Sequence, residues 1–231
     1  MTDPVRDLTR LDEATARLLT VAGTLDDAAL AEPSRLPGWT RGHVLSHLAR
    51  NADALLNVVA GRPMYASAEA RDADIESGAT LPAAALAEEV RLSAARLAAA
   101  LAEPGDWERV VELRNGVTDR LARVPFRRLV EVELHQVDLG AGRELEDLSA
   151  EFTDAENAFL ADRFTGHPDV PPLLLRPAGS PALTSGRAAA PGEEPLTVTG
   201  TPADLLGWLA GRRAPDGLKT DGGPLPALPP L

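Results

Sequence analysis

The chain has 231 residues, of which 44% are hydrophobic, and a formal net charge of −12. This length allows two domains, each with its own core. The acidic balance and the lack of a basic cluster exclude a duplex nucleic-acid binder and disfavour an anionic membrane surface. The chain contains no cysteine, so disulfides and thiolate ligands are excluded, and nitrogen and oxygen atoms must hold any metal. Chemistry that requires a thiol would take it from a cofactor.

No run of residues approaches the roughly 20 apolar residues that cross a bilayer. The first seven residues are polar and acidic, with no apolar stretch behind them, which argues against a signal peptide. We therefore expect a cytoplasmic protein without membrane contact. No coiled-coil or sheet-edge signal demands a second copy, which favours a monomer.

The first part of the chain, residues 1–147, has the pattern of a helical bundle. Asp3 and Pro4 begin a helix that runs to about Leu25, and Thr40 can cap a second helix that ends near Gly61. Residues 64–80 look less regular, and residues 104–118 look like a loop or a short extended stretch. Two more long helices are predicted from Leu81 to about Leu101 and from Pro125 to about Ala141. Four long helices predict an antiparallel bundle.

The second part, residues 148–231, mixes helices and strands. Thr153 and Glu156 resemble a capping box for a helix through about Phe164. Strand-like runs follow at residues 173–176 and 196–199, with a Pro/Gly/Ala-rich loop at 177–195 between them. Thr201 and Pro202 begin another helix, and the tail from Gly222 is Pro-rich. The fold class is therefore α+β, with a small α/β domain behind the bundle.

Glu131 and His135 are one turn apart on the last bundle helix, and both flank its core-facing side. Glu133, on the opposite face, is expected to contact solvent. On the second helix, His47 lies at the edge of the apolar stripe and is the better ligand, although His43 shares its face. Two imidazoles and one carboxylate with an open position form a ligand set that catalytic zinc uses. The same residues could instead be structural groups with satisfied hydrogen bonds.

Arginines are a second candidate feature, because their planar forks bind carboxylates in two places. A cleft for a dianionic substrate could use Arg71, which follows a Tyr-x-Ser-x-Glu-Ala motif, and Arg212, at the end of the C-terminal helix. The alternative for each is an ordinary solvated arginine. Trp39 and Trp208 are expected in the core or in a pocket wall.

Several of these segments resemble one family. Residues 38–52 read Gly-Trp-Thr-Arg-Gly-His-Val-Leu-Ser-His-Leu-Ala-Arg-Asn-Ala, which is similar to the signature of the mycothiol-dependent maleylpyruvate isomerases, members of the DinB-like metal-binding bundles. The segment Met-Tyr-Ala-Ser-Ala-Glu-Ala-Arg at 64–71 is more discriminating. Residues 74–81, 131–140, 189–192 and 210–212 fit too. Residues 117–128 depart from the family pattern, which leaves one wall of the pocket unassigned.

The resemblance implies zinc held by His47, Glu131 and His135, and activity that requires Arg71 and Arg212. It also implies a sterol-carrier-like C-terminal domain, mycothiol as the thiol cofactor and a small dicarboxylate as substrate. The implied reaction converts maleylpyruvate to fumarylpyruvate, as in gentisate-type aromatic degradation. A thiolate adds to the cis double bond, the resulting single bond rotates, and the thiolate leaves.

Three alternatives remain open at this point. The site could transfer mycothiol onto other electrophiles, which conjugate formation with a chlorinated aromatic would reveal. Two histidines and a carboxylate could instead hold iron for oxygen chemistry. The third alternative is a non-enzymatic metal-binding or regulatory module.

Overall fold

The computed structural model describes residues 3–230. The chain divides into two units, which we call the N-terminal unit, ending at Arg143, and the C-terminal unit, beginning at Glu144. None of the helices among residues 3–230 is both long and apolar enough to cross a bilayer.

The N-terminal unit is built mainly of helices. Helix α3 lies at its centre and packs against α4, α5 and α6, while α1 packs against α5 and α6. Buried leucine, valine and alanine side chains on these faces form the core. The helices are α1 (Pro4–Ala22), α2 (Asp27–Ala31), α3 (Arg41–Val59), α4 (Ala68–Ala79), α5 (Ala83–Ala102) and α6 (Val124–Asp138).

The predicted helix starts of α1 and α3 are confirmed by their caps. The Asp3 carboxylate accepts a hydrogen bond from the Arg6 amide, and Pro4 occupies the first turn. The Thr40 hydroxyl accepts from the His43 amide, and the His43 ring accepts from the Thr40 amide, so the two form a capping box. These bonds satisfy amides that have no partner inside the helix.

Residues 64–80 are more regular than the sequence predicts, because α4 fills most of this segment. Ser67 caps the helix by accepting from the Ala70 amide. Only Ile75 and Gly78 of α4 are buried, so the helix has no apolar stripe that periodicity could detect.

Residues 104–118 contain the first strand of a hairpin, formed by β1 (Val110–Glu112) and β2 (Thr118–Arg120). Its turn contains Asn115 and Gly116, both with positive φ, as two-residue hairpin turns require. This hairpin occupies part of the segment that departs from the family pattern.

The C-terminal unit has a four-stranded sheet in the order β4-β3-β5-β6. Strand β3 pairs parallel with β5 and antiparallel with β4, and β5 pairs antiparallel with β6. Helices α7 and α8 pack against each other. The elements are α7 (Ala150–Arg163), β3 (Leu173–Pro177), β4 (Leu183–Ser185), β5 (Leu196–Gly200), α8 (Pro202–Leu209) and β6 (Lys219–Thr220).

Two details of this unit differ from the sequence prediction. The cap of α7 is Ser149, which accepts from the Phe152 amide, whereas Thr153 and Glu156 are buried inside the helix. Strand β4 lies within residues 177–195, which the sequence predicts as a loop. The predicted start of α8 is confirmed, because the Thr201 hydroxyl accepts a hydrogen bond from the Asp204 amide.

Candidate metal centre

His47 lies in the second turn of α3, and Glu131 and His135 lie one turn apart on α6, which packs against α3. Three ligand-type atoms, one from each side chain, lie within 4.8 Å of one another. We call these three residues the histidine–glutamate cluster. The structure therefore brings together the residues that helical spacing and the family resemblance single out.

The Glu131 carboxylate is the shared partner in the cluster. Its Oε2 lies 3.0 Å from Nε2 of His47 and 3.2 Å from Nε2 of His135. The two imidazole rings meet edge to face, with centroids 4.7 Å apart. Both histidines are buried, whereas about a third of the Glu131 side chain, 33%, is exposed. One side of the cluster is therefore open to a ligand.

Asp138 orients the His135 ring. Its Oδ2 lies 2.8 Å from Nδ1 of His135, and its side chain is buried. Burial alone would lower the pKa of His135, but the hydrogen bonds with Asp138 and Glu131 outweigh burial and raise it. A carboxylate on the second nitrogen is the usual support for a histidine that binds metal through the first.

The other two members of the cluster have pKa values shifted in the opposite direction. Burial lowers the pKa of His47, although Glu131 opposes that shift. Burial would raise the pKa of Glu131, but the hydrogen bonds with His135 and His47 hold it well below its usual value. At neutral pH the cluster thus offers an ionised carboxylate and a neutral His47 imidazole, both in the form that binds metal.

The two separations between the histidine nitrogens and Oε2 of Glu131 fit a single small cation. Ligand atoms at zinc-like bond lengths in a tetrahedral site are about 3.3 Å apart, close to the 3.0 and 3.2 Å separations in the cluster. A cation there would take the place of the protons shared in these hydrogen bonds. The exposed side of Glu131 leaves room for a further ligand.

Arg71, on α4, lies beside the cluster. Its Nη2 is 3.4 Å from Nδ1 of His47, and its Nη1 donates to Asp72. The guanidinium also stands over the Tyr65 ring, 5.9 Å from the ring centroid. Burial raises the pKa of Tyr65, and the charge of Arg71 opposes that shift. Arg71 therefore presents a positive charge next to the candidate metal ligands.

Arg212 lies in the C-terminal unit, just after α8, and its Nη1 donates to the Ala210 carbonyl at 2.8 Å. This contact is local, and the catalytic role of Arg212 stays a prediction.

Trp39 forms part of the wall of the site, as the sequence analysis allows. Its ring centroid lies 5.5 Å from that of His47 and 6.3 Å from that of His43. His43 itself bonds Thr40 through Nδ1 and Glu76 through Nε2. His43 thus has partners of its own, and it is not a member of the cluster.

The expectation that Glu133 contacts solvent is wrong. Its side chain is only 5% exposed, and it pairs with Arg17 of α1 and with Arg143. Helix α1 covers this face of α6, so the carboxylate is buried between α1 and its two arginine partners. Tyr65 is a residue near the site that spacing could not identify, because it precedes α4 in a loop, and only its place in the motif at 64–71 marks it.

Comparison with known proteins gives a family match over most of the chain. Residues 11–140 match the family described as the mycothiol maleylpyruvate isomerase N-terminal domain, and residues 147–230 match the companion C-terminal domain. No curated protein sequence matches the chain.

Two solved structures are similar over nearly the full length. One is a crystal structure of the mycothiol-dependent maleylpyruvate isomerase, at 29% identity and a TM-score of 0.88, with 99% of this chain and 97% of that chain covered. The other is a histidine-to-alanine mutant of the mycothiol-dependent maleylpyruvate isomerase, at 28% identity and a TM-score of 0.87 with the same coverage. The fold class and the resemblance inferred from the sequence are confirmed.

Proposed function

Because the chain belongs to the mycothiol maleylpyruvate isomerase family, we propose that it converts maleylpyruvate to fumarylpyruvate with zinc and mycothiol. Such a reaction would serve the breakdown of gentisate-type aromatic compounds. The observation that carries the proposal is the convergence of His47, Glu131 and His135, with one open side.

The cluster supplies the ligand set that the proposal needs. His47 and His135 would each bind zinc through Nε2, and Glu131 through Oε2. Asp138 would keep the His135 ring in the tautomer that leaves Nε2 free. Bound zinc would lower the pKa of a coordinated thiol and so supply a thiolate at neutral pH.

Arg71 would orient the substrate and stabilise negative charge. The isomerisation needs a dianion held with its cis double bond beside the thiol, and charge moves onto the conjugated carbonyl when the thiol adds. A guanidinium next to His47 is placed to bind a carboxylate or that developing charge. Arg212 is proposed to share this task on the strength of the family resemblance.

The first experiment is elemental analysis of the purified protein for zinc and iron, in the wild type, in His135→Ala and in His167→Ala. His167 lies outside the cluster and serves as the matched control. We expect about one zinc per chain in the wild type and the control, and none in His135→Ala. Iron in place of zinc, or no metal in any of the three proteins, would reject zinc.

Turnover is then measured with maleylpyruvate, with and without mycothiol. The proposal expects isomerisation only when both the thiol and the metal are present. Zinc without isomerisation, but with conjugation of mycothiol to a chlorinated aromatic, would reassign the protein as a thiol transferase.

A further inference from the structure

A cavity of about 520 Å³ lies in the N-terminal unit, outside the histidine–glutamate cluster. It is bounded by the end of α3, by residues 61–68 and by residues 109–116, which include β1 and the hairpin turn. Three of its lining residues are arginines, namely Arg62, Arg109 and Arg114. We call it the arginine cavity.

The three arginines lack carboxylate partners. Among residues 3–230, Arg62 bonds the Asn57 side-chain oxygen and Arg109 bonds the Val59 carbonyl. No carboxylate lies within ion-pair distance of Arg62, Arg109 or Arg114 in that part of the chain, although Glu112 also lines the cavity. Other arginines of this unit do pair with acids, as in Arg41–Glu32, Arg96–Asp53 and Arg120–Glu108.

This concentration of unpaired positive charge is informative in a chain with a net charge of −12. Arg62 and Arg114 are exposed and Arg109 is half-buried, so water screens part of the repulsion among them, and an anion bound between them would relieve the rest. Arg62 and Arg109 each have hydrogen bonds that fix them to the end of α3. Arg114 has no such bond among the described residues, so its planar fork is available for a carboxylate.

The arginine cavity and the cluster share a wall. Tyr65 lines the cavity, and its ring lies under the guanidinium of Arg71, which in turn reaches Nδ1 of His47. Arg114 also acts on this tyrosine: burial raises the pKa of Tyr65, and the charges of Arg71 and Arg114 both lower it. A short ligand could therefore extend from the cluster past Tyr65 into the cavity.

We propose that the arginine cavity binds the diketo-acid end of the substrate, with Arg114 holding its carboxylate, while the cis double bond lies at the cluster. This inference rests on the proposed function. Maleylpyruvate carries one carboxylate at each end of its carbon chain, so one positively charged site cannot hold both. Arg71 and the arginine cavity provide two separate sites, and the hairpin turn at Asn115 and Gly116 fixes the position of Arg114 beside the cavity.

The test compares Arg114→Met with Arg120→Met. Arg120 lies in β2 of the same hairpin and pairs with Glu108, and it does not line the cavity. For Arg114→Met we expect the KM for maleylpyruvate to rise about tenfold, as loss of one charged hydrogen-bonding partner implies. The KM for mycothiol and the zinc content should stay as in the wild type, and Arg120→Met should match the wild type throughout.

A binding measurement separates the two ends of the substrate. Acetylpyruvate carries only the diketo-acid end, and cis-crotonate, which has a single carboxylate, carries only the cis-alkene end; without mycothiol neither is isomerised. In calorimetric titrations without mycothiol, Arg114→Met should weaken acetylpyruvate binding about tenfold and leave cis-crotonate binding unchanged. An unchanged acetylpyruvate affinity, no acetylpyruvate binding by the wild type, or a rise in the KM for mycothiol alone would overturn the inference.

The two proposals can fail separately. A wild type that does not isomerise maleylpyruvate rejects the proposed function, and the acetylpyruvate titration then still decides what the cavity binds. If the wild type isomerises normally and Arg114→Met has unchanged kinetics and binding, only the assignment of the arginine cavity as a substrate site is rejected.

Discussion

Glu131 and Glu133 lie two residues apart on α6, and the helix gives them opposite surroundings. Glu133 is 5% exposed and pairs with Arg17 and Arg143, which keep their charge at any working pH. Glu131 is one-third exposed and pairs with two histidines, which can exchange their protons for a cation. The comparison shows that exposure and partners together separate a structural carboxylate from a candidate metal ligand.

The largest expected effect is the loss of metal and turnover in Glu131→Gln. Removing the shared ligand should abolish stoichiometric zinc binding and lower kcat/KM by about a thousandfold, since metal catalysis supplies several kcal/mol. Glu133→Gln is the matched control on the same helix and should keep its zinc. Elemental analysis and the thiol-dependent assay check both variants, and a Glu131→Gln protein with full zinc would remove Glu131 from the site.

Asp138→Asn should weaken the metal site without removing a ligand. The neutral amide of Asn holds the His135 ring less firmly than a carboxylate does, and it makes the ring a weaker electron donor to a metal. Zinc affinity should therefore fall by about 10- to 100-fold. Competition with a coloured zinc chelator measures the affinity. Asp53→Asn is the control, because Asp53 pairs with Arg96 and Arg50 instead of a histidine. Equal affinities in the two variants would mean that Asp138 does not support the site.

Glu133→Gln is expected to lower the free energy of unfolding. The amide removes the negative charge that Glu133 presents to the partly buried Arg143, which should cost about 1–3 kcal/mol of unfolding free energy. Urea unfolding of the zinc-loaded protein measures this cost. A Glu133→Gln protein as stable as the wild type would show that the ion pairs contribute nothing net, and the contrast with Glu131 would then rest on chemistry alone.

The sequence predicts the surroundings of Glu131 but not those of Glu133, and the reason lies in the periodicity of each helix. The apolar stripes of α3 and α6 place His47, Glu131 and His135 near the core, and the structure brings them together. The same periodicity gives the wrong prediction for Glu133. It describes one helix in isolation and carries no information about α1, which covers the other face of α6 and brings Arg17 to Glu133. It also fails for α4, which buries only Ile75 and Gly78.

The position of Arg71 was therefore beyond any argument from spacing. It depends on α4 packing against α3, and only the resemblance of residues 64–71 pointed to it. The hairpin had a local signal, Asn115-Gly116, but its strands have three residues each. Strands so short show too little alternation for a prediction. Short elements and buried ion pairs are thus where sequence reasoning is weakest.

Acid should also weaken the contribution of Glu131 to stability. Burial would raise the pKa of Glu131, but the histidines hold it well below its usual value of about 4.3. A depressed folded-state pKa gives stability that is present above the unfolded pKa and is lost as the pH falls towards the folded one. With metal removed by a chelator, the stability advantage of the wild type over Glu131→Gln should be full near about pH 5 and shrink as the pH falls below about 4. An advantage that does not change with pH in this range would contradict the depressed pKa.

The smallest expected effect is that of Arg17→Met, which tests whether both arginines matter to Glu133. Arg17 is 47% exposed, whereas Arg143 is 17% exposed and also donates to the Gln136 side chain. Water screens the half-exposed guanidinium of Arg17, and Arg143 remains beside Glu133, so the loss of unfolding free energy should stay below about 1 kcal/mol. Arg96→Met, which removes an arginine of similar exposure from its pair with Asp53, is the control and should behave alike. If Arg17→Met instead destabilises as much as Glu133→Gln, then Arg17 is the essential partner. Burial of Glu133 would then depend on the packing of α1 rather than on Arg143.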